Sequence, residues 1–227
     1  MVDEEKISKK EELIQKYGID LKKLEDEQIK LAKTLEIKDV IDLKNINYIG
    51  VIETLLVKNK IIAVMVVFDR EYEIIESSYF LDKLRFPYLH GFKAYRELAS
   101  MVDVFNKIRE KTDILLIKGE GINHPRLGIA SHLSISVNMP VIGVEDKLLD
   151  ENEIKDRAVL MNGKVVGKKL ITKQGAKPIY IFPGNKISVN SAYDFVKNLI
   201  VPPHKMPEPI YLAHRYVKDI RNELKLD

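Results

Sequence analysis

The stretch "LLIKGEGINHPRLGIASH", residues 115–132, decides the fold. A short apolar run ends at Lys118. Two glycines follow with Glu120 between them, and then His124-Pro125-Arg126. A buried strand of this kind belongs to a parallel sheet covered on both faces. The glycines make a loop, and a proline early in a helix predicts that a helix opens at His124. Strand, glycine loop and helix start together have the form of an active-site turn. Yet a lysine stands where such a turn usually carries an acid.

The flanking segments extend the pattern. Upstream, "GFKAYRELASMVDVFNKIRE" (91–110) repeats apolar residues at helical spacing. Before it, residues 45–57, 60–69 and 72–80 are rich in Ile, Val and Tyr. Lys58-Asn59 and Arg70-Glu71 read as tight turns, so these three strands form an antiparallel meander. Downstream, "PVIGV" (140–144) is another buried strand. Residues 157–174 read as a hairpin turning at Asn162-Gly163, 177–185 as a strand, and 191–201 and 208–224 as helices. Residues 8–35 read as helical, with Gly18 ending one helix and Asp20 capping the next. The expected fold is therefore α/β: a mixed sheet of three antiparallel strands, then helix–strand–helix–strand. Helices flank it and a basic β-hairpin is added. This is the order of ribonuclease H-like folds. A single domain is expected, with N-terminal helices over 1–36, a core over 45–200 and a C-terminal helix over 206–226.

Composition narrows the function classes. The chain has no cysteine, which excludes disulfides and thiolate metal sites. No run approaches the length of a membrane span. "MVDEEKISKKEELIQ" has no apolar stretch of the kind a signal peptide needs, so a cytoplasmic location is the expectation. The net charge of +3 says little, but its distribution says more. From Arg157 to Tyr193 there is no Asp or Glu, while Arg157, Lys164, Lys168, Lys169, Lys173, Lys177 and Lys186 fall within that span. Such a segment is either a polyanion-facing surface or a lysine-rich solvated face.

Several segments together resemble the endonuclease V family, enzymes that nick nucleic acid next to deaminated purines. They are "EDEQIKLAKTL" (25–35), "FPYLHGFKAYRE" (86–97), "KGEGINHPR" (118–126), "PVIGV" (140–144), "GAKPIYIFPGN" (175–185) and "MPEPIYLAHRY" (206–216). They occur in the family's order and cover roughly residues 21–220. The resemblance implies a ribonuclease H-like nuclease that holds Mg²⁺ on carboxylates converging from different strands. It also implies DNA or RNA, possibly bearing inosine, as partner.

Carried over residue by residue, the resemblance assigns the helix glutamate to Glu97 and the assisting histidines to His124 and His214, with His132 as a further match. The family's first-strand Asp falls on Ile52, and its Asp before the glycine loop falls on Lys118. The Lys expected after the Ile-Gly-Val strand has Asp146 in register and Lys147 one residue later. The second proline of the strand-separating turn is His90. The candidate catalytic set is therefore Glu97, His124, His214 and Lys147, and the candidate metal donors are Glu97 and Glu120. Glu53 would rescue the missing strand acid only if a bulge turned it, because successive strand side chains face opposite ways.

The same carry-over gives nucleic-acid candidates. Tyr88 and Leu89 form a wedge at a loop tip. Gly119 and Gly121 let backbone approach a flipped base. Arg126 and Lys173 are phosphate contacts. Each has a plain structural alternative: a packed turn tyrosine, a turn-capping His124, a core His132, a packed His214, and solvated charges at Arg126 and Lys173. A lysine beside Glu97 would supply positive charge at the metal position, so Lys118 is expected to pair with Glu97. Three functional readings follow: a family member that binds nucleic acid with impaired cleavage, an active nuclease with a rebuilt site, and a domain repurposed for protein contacts.

Overall fold

The computed structural model describes residues 11–226. The expected helical stretch from residue 8 thus has its first residues, 8–10, outside the described ones. Residues 11–17 are helical and stop at Gly18, whose φ of +61° suits a residue without a Cβ. Helix α1 (Leu21–Ala32) then starts with the Asp20 side chain accepting a hydrogen bond from the Lys23 N–H.

The three-strand meander forms as the residue types dictate. Strands β1 (Ile49–Val57), β2 (Lys60–Phe68) and β3 (Ile74–Lys83) are antiparallel neighbours. The β1–β2 register runs unbroken from Ile49↔Phe68 to Val57↔Lys60. Lys58, at φ +53°, makes the tight turn between them. Helix α2 (Lys93–Phe105) follows, then β4 (Ile114–Lys118), helix α3 (Ile129–Val137) and β5 (Val141–Glu145). Both β1–β4 and β4–β5 are parallel pairs.

The remaining strands are β6 (Glu153–Lys155), β7 (Ala158–Met161), β8 (Lys164–Leu170) and β9 (Ile179–Asn185). They extend the same sheet, because β9 pairs antiparallel with β5. The strand order is β3-β2-β1-β4-β5-β9-β8-β7-β6. The architecture is a mixed ribonuclease H-like sheet with helices on both faces. Helices α4 (Val189–Asn198) and α5 (Glu208–Glu223) complete it.

Two cores flank the sheet, and strand alternation sorts residues between them. Val51, Leu116, Val144 and Ile181 pack toward α4 and α5 with Tyr193, Val196, Ile210 and Ala213. Ile52, Met65, Leu115 and Ile117 pack toward α2 and α3 with Ala94, Met101, Val104 and Leu133. Burial on both faces explains why β2 reads as an unbroken apolar run.

Three expectations change. Strand β6 was not anticipated: its three residues are exposed and charged or apolar in turn, too short for a pattern. Helix α2 stops at Phe105 rather than 110, and Asn106 ends it. Helix α3 begins at Ile129, capped by Gly128, and not at His124. The His124 ring explains the delay. Its Nδ1 accepts hydrogen bonds from the Arg126 and Leu127 N–H groups at 3.1 Å each, closing a turn before the helix.

Candidate active site and nucleic-acid interface

The site lies where the parallel strands end. On β1, three consecutive residues divide between the faces. Ile52 is fully buried in the α2 core. Thr54, of the same parity, donates its hydroxyl to Glu97 Oε2 at 2.7 Å. Glu53 faces the opposite way, and its Oε1 lies 2.9 Å from His214 Nδ1 on α5. No bulge interrupts β1, so Glu53 does not turn toward the position of Ile52.

Lys118 follows the same rule. It shares parity with Leu116 and with Val144, its partner on β5, so it sits on the face of α5. The expected Lys118–Glu97 ion pair is therefore not formed among the described residues, since Glu97 approaches from α2 on the other face. The helix cation that shares the cleft of Glu97 is Lys93, one helical turn earlier. Its Nζ donates to the Lys118 carbonyl at 3.1 Å and stands 4.0 Å from Glu145 Oε1.

These groups share one cleft, lined by Ile52, Glu53, Lys93, Glu97, Lys118 and Glu145 among others. Burial works against the Lys93 charge, but Glu97, Glu145, Glu120 and Glu53 outweigh it, so its pKa is raised. Burial pushes the Glu53 carboxyl up, against the pull of Lys118, His214 and Lys93. Burial likewise lifts Glu145 to about 7, opposed by Lys93 and Lys118 and assisted by Glu120 and Asp146.

This donor set does not fit the Mg²⁺ centre that the resemblance implies. A hard divalent cation wants several convergent carboxylate oxygens. Here two ammonium groups stand among the acids. Glu97 is engaged by Thr54 and Glu53 by His214. Among the described residues, no three His, Asp or Glu side chains are grouped to hold a metal. Glu120, the other expected donor, lines a neighbouring cavity rather than the cleft of Glu97.

That cavity, of about 230 Å³, lies beneath the 86–92 turn. Tyr88 is 67% exposed at the tip, with the Arg96 guanidinium 5.9 Å from its ring. Leu89 is a correction to the expected wedge: it is buried at 5% exposure and packs inward. Gly91, at φ +77°, lets the chain pass Arg126, whose guanidinium a Cβ would meet at 2.8 Å. Gln28 of α1, almost fully buried, ties the parts together. Its Nε2 donates to the carbonyls of Gly91 and Leu127, and its Oε1 accepts from Arg126 Nε at 2.7 Å. Arg126 also lies 3.3 Å from Glu25 and over the Phe92 ring, so its charge is already engaged.

The other candidates are placed as follows. Gly119 and Gly121 do not line this cavity. A Cβ at Gly119 would meet Ile129 at 2.3 Å, and one at Gly121 would meet the Pro183 carbonyl oxygen at 2.2 Å, so both serve close packing. His124 borders the cavity, and burial lowers its pKa. His132 is a core residue, edge-on to Tyr95. Lys147 and Lys173 are exposed, and neither lines the two clefts. The basic segment does reach this end of the sheet, since Tyr180 pairs with both Glu145 and Lys169. The residues that sequence reasoning missed are Lys93, Thr54, Glu145 and Gln28. Lys93 had a readable signal, being four residues before Glu97 on an expected helix. Gln28 had none, because its partners lie 63 to 99 residues away.

The chain matches known proteins along most of its length. The family described as Endonuclease V matches residues 29–215. An endonuclease V of Thermosipho melanesiensis is 31% identical over 219 residues, which are 93% of each chain. The catalytic domain of human endonuclease V is 25% identical, with a TM-score of 0.82, covering 91% of this chain and 98% of that one. A Ciona intestinalis endonuclease V, solved with a 24mer DNA containing an inosine followed by a ribo-adenosine, has a TM-score of 0.82 at 22% identity. That match covers 90% of this chain and 98% of the other, and it shows the shared fold. The order of motifs, the sheet topology and these matches agree: the chain belongs to the endonuclease V family.

Proposed function

We propose that this chain is a nucleic-acid-binding protein of the deaminated-base repair type, recognising a strand that carries deoxyinosine or inosine, with impaired metal-dependent cleavage. The observation that carries this reading is the Lys118 ammonium, on the strand end where the family resemblance puts a carboxylate, in a cleft that also holds Lys93. The recognition half rests on the exposed Tyr88 tip above a cavity bordered by Gly91, His124 and Arg126. A relative solved with inosine-containing DNA supports that ligand class.

In this reading Tyr88 enters the base stack. An aromatic ring stacked on a base contributes roughly 1–3 kcal/mol. The displaced base enters the cavity, whose walls are backbone held by Gln28. The basic β7–β8 hairpin and Lys173 on the β8–β9 loop contact phosphates.

The test is an oligonucleotide containing one deoxyinosine, and the matching inosine RNA, incubated with Mg²⁺ or Mn²⁺ while binding and nicking are both followed. Binding without nicking is the expected result. Tyr88→Ala should weaken inosine-strand affinity by about tenfold, in line with one lost stacking contact. A second reading, an active nuclease with a rebuilt site, is favoured by Glu53, Glu97 and Glu145 lining one cleft. Nicking abolished by Glu97→Ala would establish it instead.

A further inference from the structure

The cleft with Glu97 is lined by Glu53, Glu97, Glu145 and Asp146, but a second cleft on the α5 side has no acid in its lining. Its lining includes Lys118, His204, Lys205, Tyr211 and His214, with no Asp or Glu among the lining residues. Lys118 is the wall common to both clefts. Its Nζ makes no hydrogen bond or ion pair with any described residue, although carboxylates lie nearby. The acids on this side stand behind the histidines rather than in front of them. Glu53 contacts His214 through Nδ1 at 2.9 Å, and Glu208 contacts His204 through Nδ1 at 2.5 Å. In both rings Nε2 has no hydrogen-bond partner among the described residues. His204 is fixed further by stacking on Tyr211, with ring centroids 3.6 Å apart.

Two free ammonium groups around an acid-free cleft are the donors that a phosphodiester needs. Each imidazole gives its Nδ1–H to a glutamate, so it adds an Nε2–H donor only in the imidazolium form. We propose that the cleft between Lys118 and the His204–Lys205 loop is a phosphate-binding subsite that works without a metal ion, taking a backbone phosphate of a nucleic-acid strand. Lys118 is the central residue. It reaches this face because its parity on β4 matches Leu116, and it sits at the mouth of the acidic cleft. A strand crossing there gains a phosphate contact from a fixed charge, with no divalent ion between. The inference rests on the proposed nucleic-acid binding and deepens it.

The test is fluorescence anisotropy with a labelled single strand carrying one deoxyinosine, measured over a range of salt, in chelator and in Mg²⁺. The expected result is equal affinity in both. Lys118→Ala and Lys205→Ala should each reduce the salt slope of log Kd by about 0.7, the loss of one contact to a single strand. Thermal melts check that Lys118→Ala remains folded; Lys205, on a loop, serves independently. Binding abolished by chelator, or slopes unchanged in both variants while Tyr88→Ala still weakens binding, would overturn the phosphate subsite alone. No binding by the unaltered protein at moderate salt would overturn this subsite and the proposed function together.

Discussion

Glu145 ends β5 in a half-buried position beside Lys93, and its environment sets a pH dependence. Burial lifts its carboxyl to about 7 against the pull of Lys93. The folded protein therefore keeps a proton that the unfolded chain releases near pH 4.3. Stability from this group is complete below that value, falls as pH rises toward 7 and is flat above it. Relative to Glu145→Gln, the unaltered protein should lose on the order of 2 kcal/mol of stability in urea unfolding between about pH 4.5 and about pH 7.5. The comparison isolates Glu145, because Glu53, whose pKa burial also raises, acts in the same sense, and His124 and His132, whose pKa values burial lowers, act in the opposite one. An unchanged slope would contradict the assignment. Gln28 acts by geometry instead of charge. Gln28→Ala leaves the Gly91 and Leu127 carbonyls and Arg126 Nε without their partner. The expected cost is about 1–3 kcal/mol in urea unfolding.

The unit of strand, loop and helix from β4 to α3 is held by absence of side-chain volume. Gly121 lies against the Pro183 carbonyl of β9, and Gly119 lies against Ile129 at the start of α3. The sequence marks both glycines, and the family resemblance suggests a base-binding purpose. Their neighbours show a packing purpose, which depends on β9 joining the sheet beside β5. Gly121→Ala forces the Pro183 backbone to move and should destabilise by about 1–3 kcal/mol. A melting temperature within a degree of the unaltered protein would refute the close approach. The same element shows why His124-Pro125-Arg126 misled as a helix start. Proline suits an early helical position, but the His124 ring closes a turn first and α3 waits until Ile129.

At the scale of the whole molecule, the site exists only because β1, α2, β4, β5 and α5 meet at one end of the sheet. Lys118→Asp replaces the cation there with an acid, in a cleft already lined by Glu53, Glu97 and Glu145. Titration calorimetry with Mn²⁺ should show saturable binding to that variant and none to the unaltered protein; the reverse result would mean that Lys118 does not exclude the metal. The strands of the meander and the parallel pair were legible in the sequence because they are long, apolar and punctuated by turns. That Ile52 and Lys118 stand where the family resemblance puts carboxylates was equally legible, since it is a matter of residue identity within ordered motifs. The face of the sheet on which Lys118 stands was not. Sequence distance cannot say which face a strand residue shares with which helix. Parity on β1 and β4 sends Glu53 and Lys118 toward α5 and leaves Glu97 with Thr54 and Ile52 on the other side. Residue types and local periodicity thus determined most of the elements, the family resemblance and the presence of Ile52 and Lys118 at its acid positions. Only the tertiary structure decided the pairings, because they depend on contacts between segments that the chain brings together from 25 to 161 residues apart.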